Sequence, residues 1–442
     1  MAEKERKRFR TKVQEEHSGE PDKGGGIRRR LRERPRIRPR VFGYLTEEKE
    51  SLRQGFAALF VSSVGELVAG IVLAGIAGTL EELVGLAVLI PAAIGMRGAI
   101  FGAMGSRLST SIQTGLFSFS LRRGVLAENV QAAAVLSLLS GVFLALLARY
   151  LSDILGVVTE LSVVDYVVIS TIGGIIAGVL LLGLTVLVAR TSVARGWDMD
   201  NIAAPLLTAA GDILTLPSLV VAAYLIDIPG LSGGLALALV AAAIVTAVLG
   251  FRIGAQNLRR ILAESLPILA LTGTITILVG VAFEDRSEQF TTLLALSILL
   301  PAFLQEGGAL GGILSSRLSS KIHLGLLAPR GLPSVTAFRD FVLIYTFAVG
   351  VYLFVGAASH GLAVTLFHEG SSPGLLAMMG LALLAGLIAT TAAVLAAYYG
   401  SVASYRLGLD PDTYGIPIIT ATVDLLGFMS LIIALIVFGL AG

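Results

Sequence analysis

The sequence predicts an all-α polytopic membrane protein: about eleven transmembrane helices, arranged as two parallel five-helix repeats joined by a linking helix. Three observations carry this expectation. Of 442 residues, 55% are hydrophobic and only 14% charged, with a mean hydropathy of +0.85; soluble domains carry about 25% charged residues. Apolar runs of about 20 residues, each long enough to span a bilayer, recur along the whole chain. Segments of the first half also reappear in the second at a constant spacing. A membrane β-barrel would instead show short alternating segments.

The first 50 or so residues differ from the rest. Residues 1–50 are crowded with basic side chains, Arg28, Arg29, Arg30, Arg32 and Arg34 among them, and are interrupted by Gly24-Gly25-Gly26. No apolar core is possible there, so a disordered cytoplasmic tail contacting lipid headgroups is expected. No cleavable apolar region follows the basic stretch at the usual distance, so it does not read as a signal peptide. Nucleic acid is not an expected partner.

Eleven spans follow. The first half (51–230) places them at about 55–80, 83–104, 127–150, 164–189 and 204–226. A linking span (231–255) runs at about 232–251, and the second half (256–442) has spans at about 263–283, 290–313, 337–358, 374–399 and 415–439. Basic residues cluster on alternate loops. Arg107, Arg122, Arg123, Arg190, Arg195, Arg252, Arg259, Arg260, Arg317, Lys321, Arg330 and Arg406 share the side of the basic tail. Asp153, Glu160, Asp227, Glu284, Asp285 and Glu369 fall opposite, with Arg286 as the exception. By the positive-inside rule the N-terminus is cytoplasmic and the C-terminus outside, in a multi-pass protein of the cell membrane. The four histidines, His17, His323, His360 and His368, fall outside these spans, and there is no cysteine. Disulfides, thiolate metal sites and cysteine nucleophiles are thereby excluded. No nucleophile–base pair or phosphate site stands out within the spans, so an enzyme is not expected.

Pro91–Gly115 aligns without a gap with Pro301–Gly325, matching Pro91/Pro301, Gly98/Gly308, Ala99/Ala309, Ser106/Ser316, Arg107/Arg317 and Gly115/Gly325. Two five-span halves joined directly would be inverted. The single linking span restores a common orientation, so the halves are expected to be related by an axis along the membrane normal. The arrangement imitates a two-fold homodimer, and a single chain suffices as a pseudo-dimer.

The second repeated motif carries chemistry. Asp198-Met-Asp200…Pro205…Thr208…Asp212 recurs 212 residues later as Asp410-Pro-Asp412…Pro417…Thr420…Asp424. Pro205 and Pro417 suit a helix start. Asp212 and Asp424 follow seven residues in, roughly 10 Å along the helix. A carboxylate inside a membrane helix is costly and marks an ion path. Thr208 shares a face with Asp212, as Thr420 does with Asp424. Met at the symmetry axis, these groups would form an all-oxygen site for a hard divalent cation, in direct contact or through retained waters. A pair of structural carboxylates bonded to a neighbouring helix is the plainer alternative.

Other carboxylates are accessory candidates along the path. Glu66 lies in the first span and Glu264 near the start of its counterpart. Glu306 has Met96 as its repeat partner, so the repeat is asymmetric there. Asp198, Asp200, Asp410 and Asp412 sit at the inner mouth, where they suit the helix dipole and would concentrate cations. The small residues of the second spans let helices approach closely. Arg107 and Arg317 are expected to extend to the cytoplasmic interface.

These motifs resemble those of the MgtE-type magnesium transporters and, more closely, of their two-repeat relatives among the solute carriers. The signs are the Pro-Ala…Arg-Gly and Gly-Gly segments followed by Ser-Arg-Leu-Ser in the second spans, and Asp-x-Asp…Pro…Thr-x-x-x-Asp in the fifth. The resemblance covers about residues 55–442. It implies a magnesium channel or transporter in which the second and fifth spans line the pore, with Gly98, Ala99, Ser106, Gly308, Ala309 and Ser316 on its second helices. It also implies that Asp212 and Asp424 bind Mg2+, with other divalent cations as possible cargo. The family often has Gly-Asn where this chain has Gly98-Ala99 and Gly308-Ala309. Its bacterial forms carry cytoplasmic sensing domains where this chain has its basic tail. An alternative in keeping with the asymmetric Glu306 is a divalent cation exporter that exchanges for sodium or protons.

Overall fold

The structure is a computed structural model. It describes residues 49–440 apart from 121, 196–198, 229, 253 and 408–415. The expected disordered tail therefore lies outside the described residues, as do Asp198, Asp410 and Asp412.

Among the described residues the chain is helical throughout, and eleven helices are long and apolar enough to cross a membrane. The first half contains α1 (Lys49–Gly75), a short α2 (Ala77–Glu82), a 3-10 turn (Leu86–Leu89), α3 (Ile90–Gln113), α4 (Val125–Leu155), α5 (Val163–Arg195) and α6 (Met199–Ala223). The linking helix α7 is Leu231–Arg252. The second half repeats the order with α8 (Gln256–Glu284), a short α9 (Ser287–Thr292), α10 (Leu294–His323), α11 (Val335–Leu366), α12 (Leu375–Leu407) and α13 (Ile416–Val437).

Several helices outrun their apolar spans. Consequently His360 falls within α11, bonding Ser372 Oγ at 2.8 Å, and His323 closes α10. The expectation that no histidine lies in a membrane helix is corrected on this point: hydropathy marks the apolar stretch, whereas backbone hydrogen bonding continues past it. Pro205 likewise sits six residues beyond the start of α6 rather than at its first turn, whereas Pro417 is the second residue of α13.

Local sequence explains the helix ends. At the start of α5, the Ser162 backbone N–H donates to Asp165 Oδ2 (2.9 Å) and the Asp165 N–H to Ser162 Oγ (3.3 Å), a reciprocal cap. The second spans end alike in both halves. Gly115 and Gly325 each adopt φ +71°, and the next residue's N–H reaches back five positions, from Leu116 to the Ser111 carbonyl and from Leu326 to the Lys321 carbonyl, both 2.9 Å. This glycine-terminated motif satisfies carbonyls that the helix end leaves free.

The halves interlock through their first helices. α1 packs against α10 and α11 of the second half, and α8 against α3 and α4 of the first. Each contact is sealed by a glycine. A Cβ on Gly70 would overlap the backbone carbonyl of Ile298, and one on Gly280 that of Val88. Both members of each pair differ by 210 residues from their counterparts, so the two contacts are repeat-equivalent. Glu284 at the end of α8 also accepts hydrogen bonds from the backbone N–H groups of Gly85 (2.9 Å) and Ala87 (3.0 Å), anchoring the other half's 3-10 turn. α10 is the central helix, with 78% of its apolar window buried, whereas α7 has only 22% buried and lies against the outside of α4 and α5.

Arg107 and Arg317 do not simply extend to an interface. Arg107 Nε donates to Asn129 Oδ1 on α4 (2.7 Å). Arg317 Nε donates to the wholly buried Asp340 on α11 (3.1 Å), which also accepts from Lys321 Nζ at 2.6 Å. Each arginine thus ties the second helix of its half to the third, with a neutral acceptor in one half and a carboxylate in the other. Asp340→Ala is expected to cost about 1.5–3 kcal/mol, because charge-assisted bonds are lost and two partly buried cations lose their acceptor. Asn129→Ala should cost less. Thermal unfolding of the purified variants checks the order.

Candidate functional site

The fifth and second helices of both halves, with α8, enclose a cavity of about 340 Å³. Its walls are largely repeat-related: Pro91 and Pro301, Ile94 and Leu304, Thr208 and Thr420, Asp212 and Asp424. The two aspartates therefore face one shared space rather than separate ones, close enough for their charges to interact. Thr208 and Thr420 stand one turn before their aspartates and line the same space.

The second helices reach the cavity because small residues let them lie against the fifth. Gly98 faces Thr208, whose Cγ2 would sit 3.9 Å from a Cβ there, and Gly308 faces Thr420 at 2.8 Å. Gly98 and Ala99 are on the wall; Gly308 is instead covered by Thr420, and neither it nor Ala309 lines the cavity. Ser106 and Ser316 are exposed and do not reach it. The reason is helical phase: eight residues past Gly98 or Gly308, they lie about 12 Å further along and are turned by roughly 80°.

Behind the aspartates lies a second group of carboxyls. Glu66 is 1% exposed and stands beside Asp212, close enough for the two carboxyl groups to interact. Glu306 is fully buried and accepts from Ser63 Oγ at 2.7 Å. One oxygen of each, Glu66 Oε2 and Glu306 Oε2, has no partner among the described residues. Still, among the described residues no three His, Cys, Asp or Glu side chains converge tightly enough to ligate a bare metal ion.

Glu264 is not part of this group. It is exposed, paired with Arg260 one turn away at 2.7 Å, and does not line the cavity. Its distance from Glu66 in repeat register explains this: at the 210-residue spacing the partner of Glu66 is Thr276, not Glu264. Asp200 falls in the first turn of α6, where only the backbone is described.

Sequence reasoning missed three wall residues with polar side chains, Thr272 and Thr276 on α8 and Gln305 on α10. Thr276 could have been found by carrying Glu66 forward by the repeat spacing. Gln305 pairs with Gly95, also on the wall.

The sequence profile of MgtE, described as a divalent cation transporter, matches residues 90–222 and again 300–434. The chain is 24% identical over 384 residues to solute carrier family 41 member 2 of Xenopus laevis, covering 78% of this chain and 64% of that protein. It is 23% identical over 377 residues to the Homo sapiens protein of the same name, covering 77% and 62%. The chain thus spans somewhat less than two thirds of these relatives' own length. Among solved structures, the Vibrio cholerae MATE transporter VcmN is similar over 88% of this chain and 97% of its own at 13% identity, with a TM-score of 0.28, too low to bear on the fold. With the profile matched once in each half, over the stretches that contain the second to fifth spans, the chain belongs to the MgtE family of divalent cation transporters, and it is a multi-pass membrane protein.

Proposed function

We propose that this protein carries magnesium, or another hard divalent cation, across the cell membrane, and that Asp212 and Asp424 hold the cation in transit. The observation that carries the reading is the pair of repeat-related carboxylates in one cavity between the halves. A cavity of about 340 Å³ has room for a dication with a first shell of water. Magnesium dehydrates reluctantly and is commonly held through retained waters by one or two carboxylates. Two carboxylates with Thr208, Thr420, Thr276 and Gln305 around them suit such an ion better than a bare one, in keeping with the lack of a tight ligand cluster among the described residues.

In this reading the aspartates supply the charge and the hydroxyls and amide orient the water shell. Glu66, beside Asp212, stands with Glu306 as a further acidic element of the path. The N-terminus faces the cytoplasm and the C-terminus the outside. The two membrane halves are residues 51–230 and 256–442, joined by the linking helix within 231–255, and one chain forms the whole pathway.

The test is metal flux into proteoliposomes holding the purified chain, with magnesium and competing manganese, cobalt and calcium. Saturable magnesium uptake, inhibited by the competing ions, is expected; its absence in correctly inserted protein removes the reading. Replacing Thr208 and Thr420 together by Val should weaken magnesium uptake about fivefold, since each neutral contact is worth on the order of 1 kcal/mol or less. An unchanged concentration dependence would exclude the hydroxyls from the site.

A further inference from the structure

The first half buries a charge that the cation cavity does not use. Arg97 stands between Met96 and Gly98, both on the cavity wall, but does not line the cavity itself. Its guanidinium lies instead in the seam between α3, α4 and α5, so close to Gly174 that a Cβ there would overlap Nη2. The residue is 1% exposed. Its Nε and Nη1 have no hydrogen-bond partner among the described residues, and no carboxylate is paired with it there.

The same seam holds two buried hydroxyls without partners among the described residues, Ser137 on α4 and Thr171 on α5. Their heights follow from the glycines. A Cβ on Gly178, one turn beyond Gly174, would lie 3.7 Å from both Phe101 Cζ and Ser137 Oγ. A Cβ on Gly141 would lie 3.1 Å from Thr171 Oγ1, three residues before Gly174. Along α5, Ser137 beside Gly178 and Thr171 three residues before Gly174 thus stand on opposite sides of the guanidinium, roughly 10 Å apart, with Thr171 the nearer in sequence to Gly174. All these groups can donate hydrogen bonds. What the seam lacks is a negatively charged acceptor. A lone buried ion costs several kcal/mol, and Arg does not escape that cost by giving up its proton.

The second half provides a contrast. The repeat partner of Arg97 is Gly307, and over Gly386, the partner of Gly174, packs the ring of Tyr352. The same gap between helices is filled there by an uncharged ring.

We propose that the seam of the first half binds one small monovalent anion, of the chloride type, held by Arg97 with the hydroxyl of Thr171. One positive charge calls for one negative charge, and the close helix packing at Gly174 and Gly141 favours a monatomic ion over phosphate. The anion neutralises Arg97 and bonds α3 to α5. This site is independent of the cation reading.

The experiment uses the purified full-length chain at constant ionic strength. Thermal unfolding is followed as gluconate is replaced by chloride or bromide, and crystals grown in bromide are examined for anomalous scattering. A saturable rise in the unfolding midpoint with either halide, and a bromide peak beside Arg97, are expected. Arg97→Gln should abolish the halide dependence, and Thr171→Val should raise the half-maximal concentration several-fold. An equal midpoint in chloride and gluconate overturns the proposal, as does an ordered water beside Arg97 with no bromide signal, or full halide dependence in a folded Arg97→Gln protein. If that variant does not fold, the bromide crystals of the unaltered chain decide.

Discussion

Converting Asp212 and Asp424 together to Asn is expected to abolish divalent-cation flux while the protein still folds and inserts. Asn keeps the shape and the hydrogen-bonding capacity of Asp but removes its charge. Both residues line one cavity, and neither has a basic partner there. Their charge is thus available to offset the desolvation of a dication. At the effective dielectric of a protein interior, removing one unit charge about 5 Å from a dication forfeits about 3 kcal/mol or more. Each single variant should therefore lower uptake at subsaturating magnesium by about 100-fold, and the double variant should be indistinguishable from empty liposomes. Uptake of magnesium into proteoliposomes measures this, with the unfolding midpoint as the control for structure. Normal uptake in a folded double variant would remove both residues from the site.

The largest effect on stability is expected at Gly70 and Gly280. At each, a Cβ would overlap a backbone carbonyl of the other half, Ile298 or Val88. A side chain in that position could turn aside; a carbonyl within a packed helix or turn cannot without moving the element that carries it. Overpacking of a core costs about 1–3 kcal/mol, and more where backbone must shift. Gly70→Ala and Gly280→Ala should each lower the unfolding midpoint markedly, and the double variant should fail to assemble its two halves. By contrast, Gly312→Ala, at a position with open space beside it, should be close to neutral. If all three variants unfold alike, the interlock through the first helices is not what holds the halves together.

Much of this protein was legible in its sequence. The helices follow from apolar runs, since a bilayer leaves a single chain few other ways to satisfy its backbone polar groups. The internal repeat follows from matched motifs, and so does the singling out of Asp212 and Asp424 as candidates, because a carboxylate in an apolar helix is conspicuous and its recurrence at the same spacing more so; the structure adds that both line one cavity. Even the paired helix ends at Gly115 and Gly325 lie at the close of the aligned segment. These are local properties, or comparisons of one stretch with another.

What the sequence left open depended on which face of a helix meets which neighbour. Ser106 and Ser316 share a helix with cavity residues yet point elsewhere, and Glu264 lies on the surface beside Arg260. Glu66, from the first half, and Glu306, from the second, come near each other because α1 crosses to pack on α10. Arg97, one residue from the wall, turns into a different seam because Gly174 leaves room for it there. The hydrophobic periodicity of a membrane helix says little about such choices, since lipid and protein interior are almost equally apolar and every face can be apolar. Close packing of small residues decides them, and that is a property of two surfaces together rather than of either sequence segment alone.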